Sequence, residues 1–260
     1  MHQLSTRYQG EQARTGTDEA PIIARFLRAI RQRFTLSDVE AQLLESKMLE
    51  TQSYGPGDFL VREGERVTYS SLLLEGYACR CKDDPHGDRQ IMEIQIPGDF
   101  VDLHSYPLEV LDHAICALSD CKIVKFAHSD ISQLVHESPR LARILWFATM
   151  VDASIHREWI MNIGSRAGKV RVAHLLCELF CRSEVVGLTD GHSYPMPLSQ
   201  IQVGECLGFS QMHVNRLMRE LREMGLVTMN SRRVDIHDWD GLREVAEFDA
   251  TYLYLGSRES

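Results

Sequence analysis

The sequence has no apolar run approaching the roughly 20 residues that span a bilayer. Its opening segment, MHQLSTRYQGEQARTGTDEA, has no apolar core of the kind a signal peptide carries. Export is therefore not expected and a cytoplasmic location is; residues 1–20 read as a flexible N-terminal arm. Without export, the seven cysteines do not imply a disulfide framework. Catalytic fingerprints are missing as well: there is no G-x-S-x-G, P-loop, dinucleotide-binding glycine motif, H-E-x-x-H or H-x-H. A surplus of positive charge is also lacking, since the net charge is −9. That balance disfavours a nucleic-acid partner only if the charge is evenly spread. It is not, because Ser210–Arg233 carries five Arg against two Glu.

What is present is clearest at Gln200–Leu217, QIQVGECLGFSQMHVNRL. The segment reads as a helix, a tight glycine turn and a second helix, the helix-turn-helix arrangement that sets a helix into a DNA major groove. Gly208 stands where the first helix must end in a turn of positive φ. Gly204, four residues earlier, is small enough for the second helix to cross closely. Val203, Leu207, Phe209, Val214 and Leu217 supply the locking apolar contacts, and Ser199 and Ser210 are placed to cap the two helices. The second helix continues to Gly225. Leu226–Met229, a polar turn through Arg232 and Arg233, and Val234–Ile236 then form a hairpin, a wing that can touch the phosphate backbone.

The rest of the chain reads as α+β. Residues 22–50 have helical periodicity, with a fresh start capped by Ser37. From Thr51 to about Phe126, short alternating runs (DFLVREGE, SSLLLEGYACRCK, RQIMEIQI, AICALS, CKIVKFA) are separated by polar turns and glycines, the pattern of an antiparallel roll. Helix returns at Ser129–His136. Pro139 then opens a long helix to about Ile163, with a seam at Leu141, Leu145, Ala148, Val151, Ile155, Trp159 and Asn162/Ile163 that predicts pairing with a second subunit. Gly164-Ser165 reads as a break and hinge, and a further helix is expected over 166–182. The expected units are the arm at 1–20, a β-roll sensor domain at 21–138, the dimerisation helix at 139–164, a winged helix-turn-helix at 165–250 and a tail at 251–260.

This order of parts resembles the Crp/Fnr family of bacterial transcription regulators. The resemblance is most specific over SQIQVGECLGFSQMHVNRLMRELREMGLV…RRVDIHD and at Pro97-Gly98-Asp99-Phe100. It implies a cyclic-nucleotide-binding-like β-roll, a dimerisation helix and a dimer that reads a palindromic double-stranded DNA operator, with RNA polymerase as partner if the protein activates. The DNA-facing residues it implies are Ser199, Ser210, Gln211, Met212, His213, Asn215, Arg216, Arg219, Arg232 and Arg233. Arg216 matches an arginine that contacts DNA in the family; the alternatives are a phosphate contact or a solvated helix face. Met212 stands where the best-known members carry a cytosine-reading glutamate. His213 can bond a base edge or a phosphate, or simply be an exposed helix residue. Cyclic-AMP binders hold the cyclic phosphate with Gly-Glu and Arg-Ser or Arg-Thr pairs, whereas this chain has Asp102-Leu103 and Asp112-His113. Cyclic AMP is therefore not expected to bind in the usual way, and no other effector is identified.

The remaining sensor candidates are cysteines and histidines. Cys79 and Cys81 share a strand face, Cys116 and Cys121 are expected across a hairpin, and Cys177 and Cys181 lie one helical turn apart, with Cys206 inside the motif. They read either as small core residues or as redox or metal groups. No cysteine precedes Cys79, so the N-terminal iron–sulfur cluster of oxygen-sensing relatives is not expected. His86, His104 and His113 are the only basis for an alternative, cupin-like metal enzyme. The main reading is not an enzyme.

Overall fold

The computed structural model describes residues 20–255. Residues 1–19 of the expected arm at 1–20 and the last five residues of the expected tail lie outside the described residues, and Ala20 begins a helix. The periodic stretch near the start forms two helices, α1 (Ala20–Arg31) and α2 (Asp38–Glu45). Ser37 caps α2 through a reciprocal pair: its hydroxyl accepts the Glu40 N–H, and the Glu40 carboxylate accepts the Ser37 N–H. Such a box satisfies two orphan donors and contributes about 1 kcal/mol.

Seven strands follow: β1 (Thr51–Tyr54), β2 (Phe59–Val61), β3 (Tyr69–Glu75), β4 (Ala78–Asp83), β5 (Arg89–Gln95), β6 (Ala114–Ala117) and β7 (Cys121–Ala127), with the one-turn helix α3 (Ser105–Leu108) before β6. They make two antiparallel sheets, β1-β7-β3 and β2-β6-β4-β5. The alternation of β4 sorts its side chains between two cores. Ala78 joins Leu60, Val61, Ile115 and Ile123 in the roll. Cys79 and Cys81 instead join Ile91, Ala114 and Cys116 in a core shared with the C-terminal half.

Two cysteine expectations separate here. Cys116 and Cys121 do not face each other, because β6 and β7 belong to different sheets. Cys116 is in register with Cys79, and its Sγ lies 3.4 Å from that of Cys81. All seven cysteines are buried and free.

After α4 (His128–Glu137) comes α5 (Pro139–Ser165). Ser138 accepts the Leu141 N–H and Pro139 occupies the first turn, where a missing N–H costs nothing. Gly164 does not break this helix, which runs on to Ser165; the chain turns at Arg166-Ala167. The expected seam also differs. Leu141, Leu145, Ile155, Trp159 and Asn162 are buried within their own chain, against the roll and the following helix. The apolar residues left uncovered lie on another face: Trp146, Met150, Ile160 and Met161, exposed by 67, 48, 71 and 51%. With Ala153 and Arg157 between them, 146, 150, 153, 157, 160 and 164 keep alternating steps of four and three, a coiled-coil stripe.

The C-terminal half comprises α6 (Gly168–Val186), β8 (Ser193–Pro195), α7 (Gln200–Leu207), α8 (Gln211–Glu223), β9 (Val227–Asn230), β10 (Arg233–Ile236), α9 (Trp239–Ala246) and a 3-10 turn, Ala250–Leu253. The wing sheet has the order β8-β10-β9. The first residues of the expected tail are not loose: Leu253 is buried, and the Tyr252 hydroxyl donates to Glu178 at 2.8 Å. Glu178 also accepts from the Trp159 indole N–H at 3.0 Å and pairs with Arg182 at 3.2 Å, and Arg182 reaches Asp99 in the roll at 2.7 Å. Three helix and turn elements thus meet the roll at one buried, satisfied polar cluster. A second junction lies nearby, where the Gln90 amide of β5 donates to the Glu205 and Cys206 carbonyls at the end of α7, at 2.8 and 3.4 Å.

Candidate nucleic-acid interface and sensor pocket

The helix-turn-helix is fixed by local chemistry. Ser199 accepts the Gln202 N–H at 3.2 Å while the Gln202 side chain accepts the Ser199 N–H at 2.8 Å, a second capping box. Gly208 ends α7 at φ 70°, in the left-handed region. A Cβ on Gly204 would lie 2.3 Å from the Phe209 carbonyl oxygen, so only glycine lets the two helices meet there. Ser210 then caps α8 by accepting the His213 N–H at 3.4 Å. Val203, Leu207, Val214, Leu217 and Leu221 are buried, and Phe209 packs partly buried beside them.

One face of α8 remains in solvent. Gln211, Met212, Asn215, Arg216 and Arg219 are exposed, Met212 by 82%. Arg216 makes only a solvated i,i+4 pair with Glu220 at 3.4 Å, a contact worth about 0.3–0.5 kcal/mol and easily exchanged. His213 is different. Its ring stacks on Phe209 with centroids 4.6 Å apart, and Arg171 lies over the same Phe209 ring at 5.1 Å. His213 is thus directed at the helix-turn-helix core rather than outward.

At the wing, Ser231 and Arg232 take φ 49° and 63° between paired Asn230 and Arg233, the two positive-φ positions of a tight hairpin turn. Arg232 stands exposed at the tip. Arg233 holds Ser193 Oγ through Nε and Nη2 at 3.1 and 2.9 Å, binding β10 to β8.

Between roll and α5 lies a cavity of about 320 Å³ lined by Arg80, Met92, His104, Asp112, His113, Thr149, Asp152, Ala153 and His156. It brings together two of the three histidines named from sequence: His104 and His113 stack, with Nε2 atoms 3.3 Å apart. His86 sits exposed in the β4–β5 turn, and His156 from α5 completes the set instead. Among the described residues, no group of three or more His, Cys, Asp or Glu side chains is arranged to hold a metal ion.

Burial pushes His104 down to about 2 and His156 to about 4, with the Arg80 charge acting in the same direction. Burial lowers His113 too, against its bond to Asp112. The rings are therefore neutral at pH 7. Arg80, the one permanent cation among these lining residues, is already held by Glu93 at 2.6 Å, Asp152 at 2.8 Å and the Val101 carbonyl at 2.9 Å. Asp102 is fully buried and turned away, accepting the Ser71 N–H.

Sequence reasoning missed Arg80, Asp152 and His156. The signal for Arg80 was present in Ala78-Cys79-Arg80-Cys81, an ionised residue at an inward position of an apolar strand. The other two come from α5 and needed the tertiary packing.

Two family models match the chain, a cyclic nucleotide-binding domain at residues 51–138 and a Crp-like helix-turn-helix domain at residues 170–245. Together they cover more than half of it. A probable transcriptional activator of Rhizobium leguminosarum bv. viciae is 27% identical over 187 residues, 72% of this chain and 77% of that one. The transcriptional activator protein FnrL of Cereibacter sphaeroides is 22% identical over 203 residues, 76% of this chain and 81% of that one. The structure of FixK2 from Bradyrhizobium japonicum shares the fold, with a TM-score of 0.69 at 22% identity over 75% of this chain and 96% of that one. The β-roll, long helix, capped helix-turn-helix and wing follow one another along the chain, the roll and the helix-turn-helix each matched by its own family model, and make this chain a member of the Crp/Fnr family of DNA-binding transcription regulators.

Proposed function

We propose that the protein works as a homodimer joined along the Trp146–Gly164 stripe of α5, setting its two α8 helices into successive major grooves of a palindromic operator. The carrying observation is the exposed face of α8, which presents Gln211, Met212, Asn215, Arg216 and Arg219 from a helix whose angle is locked by Gly204. Arg216 forms the bidentate contact to guanine, discriminating by about 1–3 kcal/mol. Gln211 and Asn215 are suited to adenine, and Met212 lays an apolar contact on a thymine methyl group where a glutamate would select cytosine. Ser199, Ser210, Arg219 and Arg232 contact phosphates. Arg233 supports the wing, and His213 orients the reading helix through Phe209.

The activator descriptions of the relatives support positive control through RNA polymerase. Among the described residues no helix is long and apolar enough to cross a membrane, in keeping with a DNA-binding role. The roll receives a signal other than cyclic AMP, because its cavity offers neutral histidines and a saturated arginine where a cyclic phosphate needs an available cation.

Selection of bound fragments from random duplex DNA at stated salt tests this reading. A two-fold site with half-site centres one helical turn apart is expected, and an asymmetric or random pool would refute the dimeric reader. Calorimetric titration with cyclic AMP should show no binding heat; micromolar affinity would refute the pocket argument.

A further inference from the structure

Cys81 and Cys116 are absorbed by neither the reading head nor the cavity. They lie on the outer face of adjacent strands β4 and β6, their sulfurs 3.4 Å apart. That approach is already within the non-bonded contact distance of two sulfurs, whereas a disulfide needs about 2.05 Å. Each is 1% exposed, in a core that also contains Val203, Cys206 and Leu207 of α7. On the neighbouring strand, Gln90 holds the end of α7 by its Glu205 and Cys206 carbonyls. The strand beside the dithiol is therefore pinned to the first helix of the DNA-reading motif, which shares the same core.

We propose that Cys81 and Cys116 form a modification site for hydroperoxides, a dithiol that oxidises to a disulfide when α7 lifts from the roll. This rests on the regulator reading only for its consequence, since the thiol chemistry requires no DNA. Hydrogen bonds from Cys116 and Cys79 hold the Cys81 thiol below the ordinary range, while the same contact pushes Cys116 up. The attack falls to either sulfur of this close pair, here Cys81. Its thiolate takes the outer oxygen of the hydroperoxide, the O–O bond breaks, and the other oxygen leaves as an alcohol or water after protonation. The resulting Cys81 sulfenic acid is attacked by the Cys116 sulfur, which gives up its proton as hydroxide departs as water. The balance is two thiols plus one hydroperoxide giving one disulfide, one alcohol (water for hydrogen peroxide) and one water, with two electrons passing from sulfur to oxygen.

Closing the bond shortens the sulfur contact by more than 1 Å in the core shared with α7 and opposes that helix's return to the same seat. Oxidant thereby acts on the angle of the reading head. The coupling runs both ways, because whatever holds α7 down protects the dithiol.

The test uses the full chain, prepared reduced and treated with hydrogen peroxide, followed by peptide mapping without reduction. A linked pair of peptides containing Cys81 and Cys116, with a loss of two hydrogens from the intact mass, is expected. Linkage through other cysteines, or stable sulfinic acid with no link, would overturn the site. Gln90→Ala removes the side-chain hold on α7 without touching either thiol, and should speed formation of the link about five-fold, the factor for loss of one net hydrogen bond. An unchanged rate in that variant would overturn the gating by α7. Both readouts are independent of DNA selection, so failure here and failure of the operator reading are told apart.

Discussion

Gly204→Ala isolates the geometry on which the reading head depends. In an ordinary helix interior the substitution stabilises, by about 1 kcal/mol. Here the added Cβ would sit 2.3 Å from the Phe209 carbonyl oxygen and 3.3 Å from its carbonyl carbon. Both obstacles are backbone, so no side chain can swing aside, and α8 must retreat by about 1 Å to restore contact distance. The retreat stretches the Phe209 N–H to Gly204 carbonyl bond, now 3.0 Å. Overpacking of this kind costs about 1–3 kcal/mol, and the weakened hydrogen bond adds about 1 kcal/mol. After the helix-propensity gain, a net loss of about 2 kcal/mol is expected, lowering Tm by roughly 4–8 °C.

Thermal unfolding by circular dichroism gives the stability, and titration of the selected operator gives the reading. Affinity should fall further than stability explains, since α8 is displaced even in folded molecules. Gly208→Ala is the control: nothing lies within 4 Å of its would-be Cβ, so it meets only the left-handed backbone penalty of about 1 kcal/mol and keeps the interhelical contact. A Gly204→Ala protein that melts higher than wild type and binds its operator equally well would refute the close-crossing argument.

Three further outcomes follow from the same structure. Arg216→Ala should weaken the selected operator by about 1–3 kcal/mol and relax preference at one base pair per half-site; an unchanged preference in repeat selection would remove Arg216 from base reading. Ile160→Asp should produce monomers in sedimentation, because two symmetry-related Ile burials of about 1.5–3 kcal/mol each are lost, whereas Asp at a truly solvated position would leave the dimer intact. Burial raises Asp102 to about 7, against the Ser71 N–H bond, so the native state binds a proton that the unfolded chain has released above about pH 4. Stability contributed by this group therefore declines from about pH 4 to pH 7 and stays low above it. Asp102→Asn should flatten that part of the denaturation-versus-pH profile relative to wild type, and parallel profiles would refute it.

The helix-turn-helix was legible because its constraints are local: capping serines, a turn glycine and a small residue four positions earlier all act within one short segment. The strands and the Ser37 cap were readable for the same reason. What failed depended on partners distant in sequence. The α5 apolar residues at spacings of three and four lie on more than one face, and only the packing of α6 and the roll shows which is already covered. Cys116 and Cys121 looked like hairpin partners because they are consecutive, but the chain crosses between sheets there. His86 was grouped with His104 and His113 by residue type, while the cavity takes His156 from α5. The polar residues exposed on α8 were visible one by one, yet His213 could not be separated from its neighbours until Phe209 was seen beneath it.

The continuity of α5 through Gly164 has a mechanical consequence. Asp152 and His156 line the cavity, Trp159 grips Glu178 of the reading half, and Ile160 stands on the exposed apolar stripe. From Asp152 to Ile160 is about 12 Å of unbroken helix, so these three duties are performed by one rigid shaft with no joint between them. Beyond it, Arg171 Nε donates to the Arg166 carbonyl at 2.8 Å and Asn162 Nδ2 to the Arg171 carbonyl at 3.3 Å, bracing the turn into α6. In the proposed dimer, a ligand that rolls the shaft by a few degrees at the cavity rotates the seam and the reading half by the same angle. A roll that receives a signal in this way transmits torque rather than slack, and its sensitivity is set by the stiffness of a single helix.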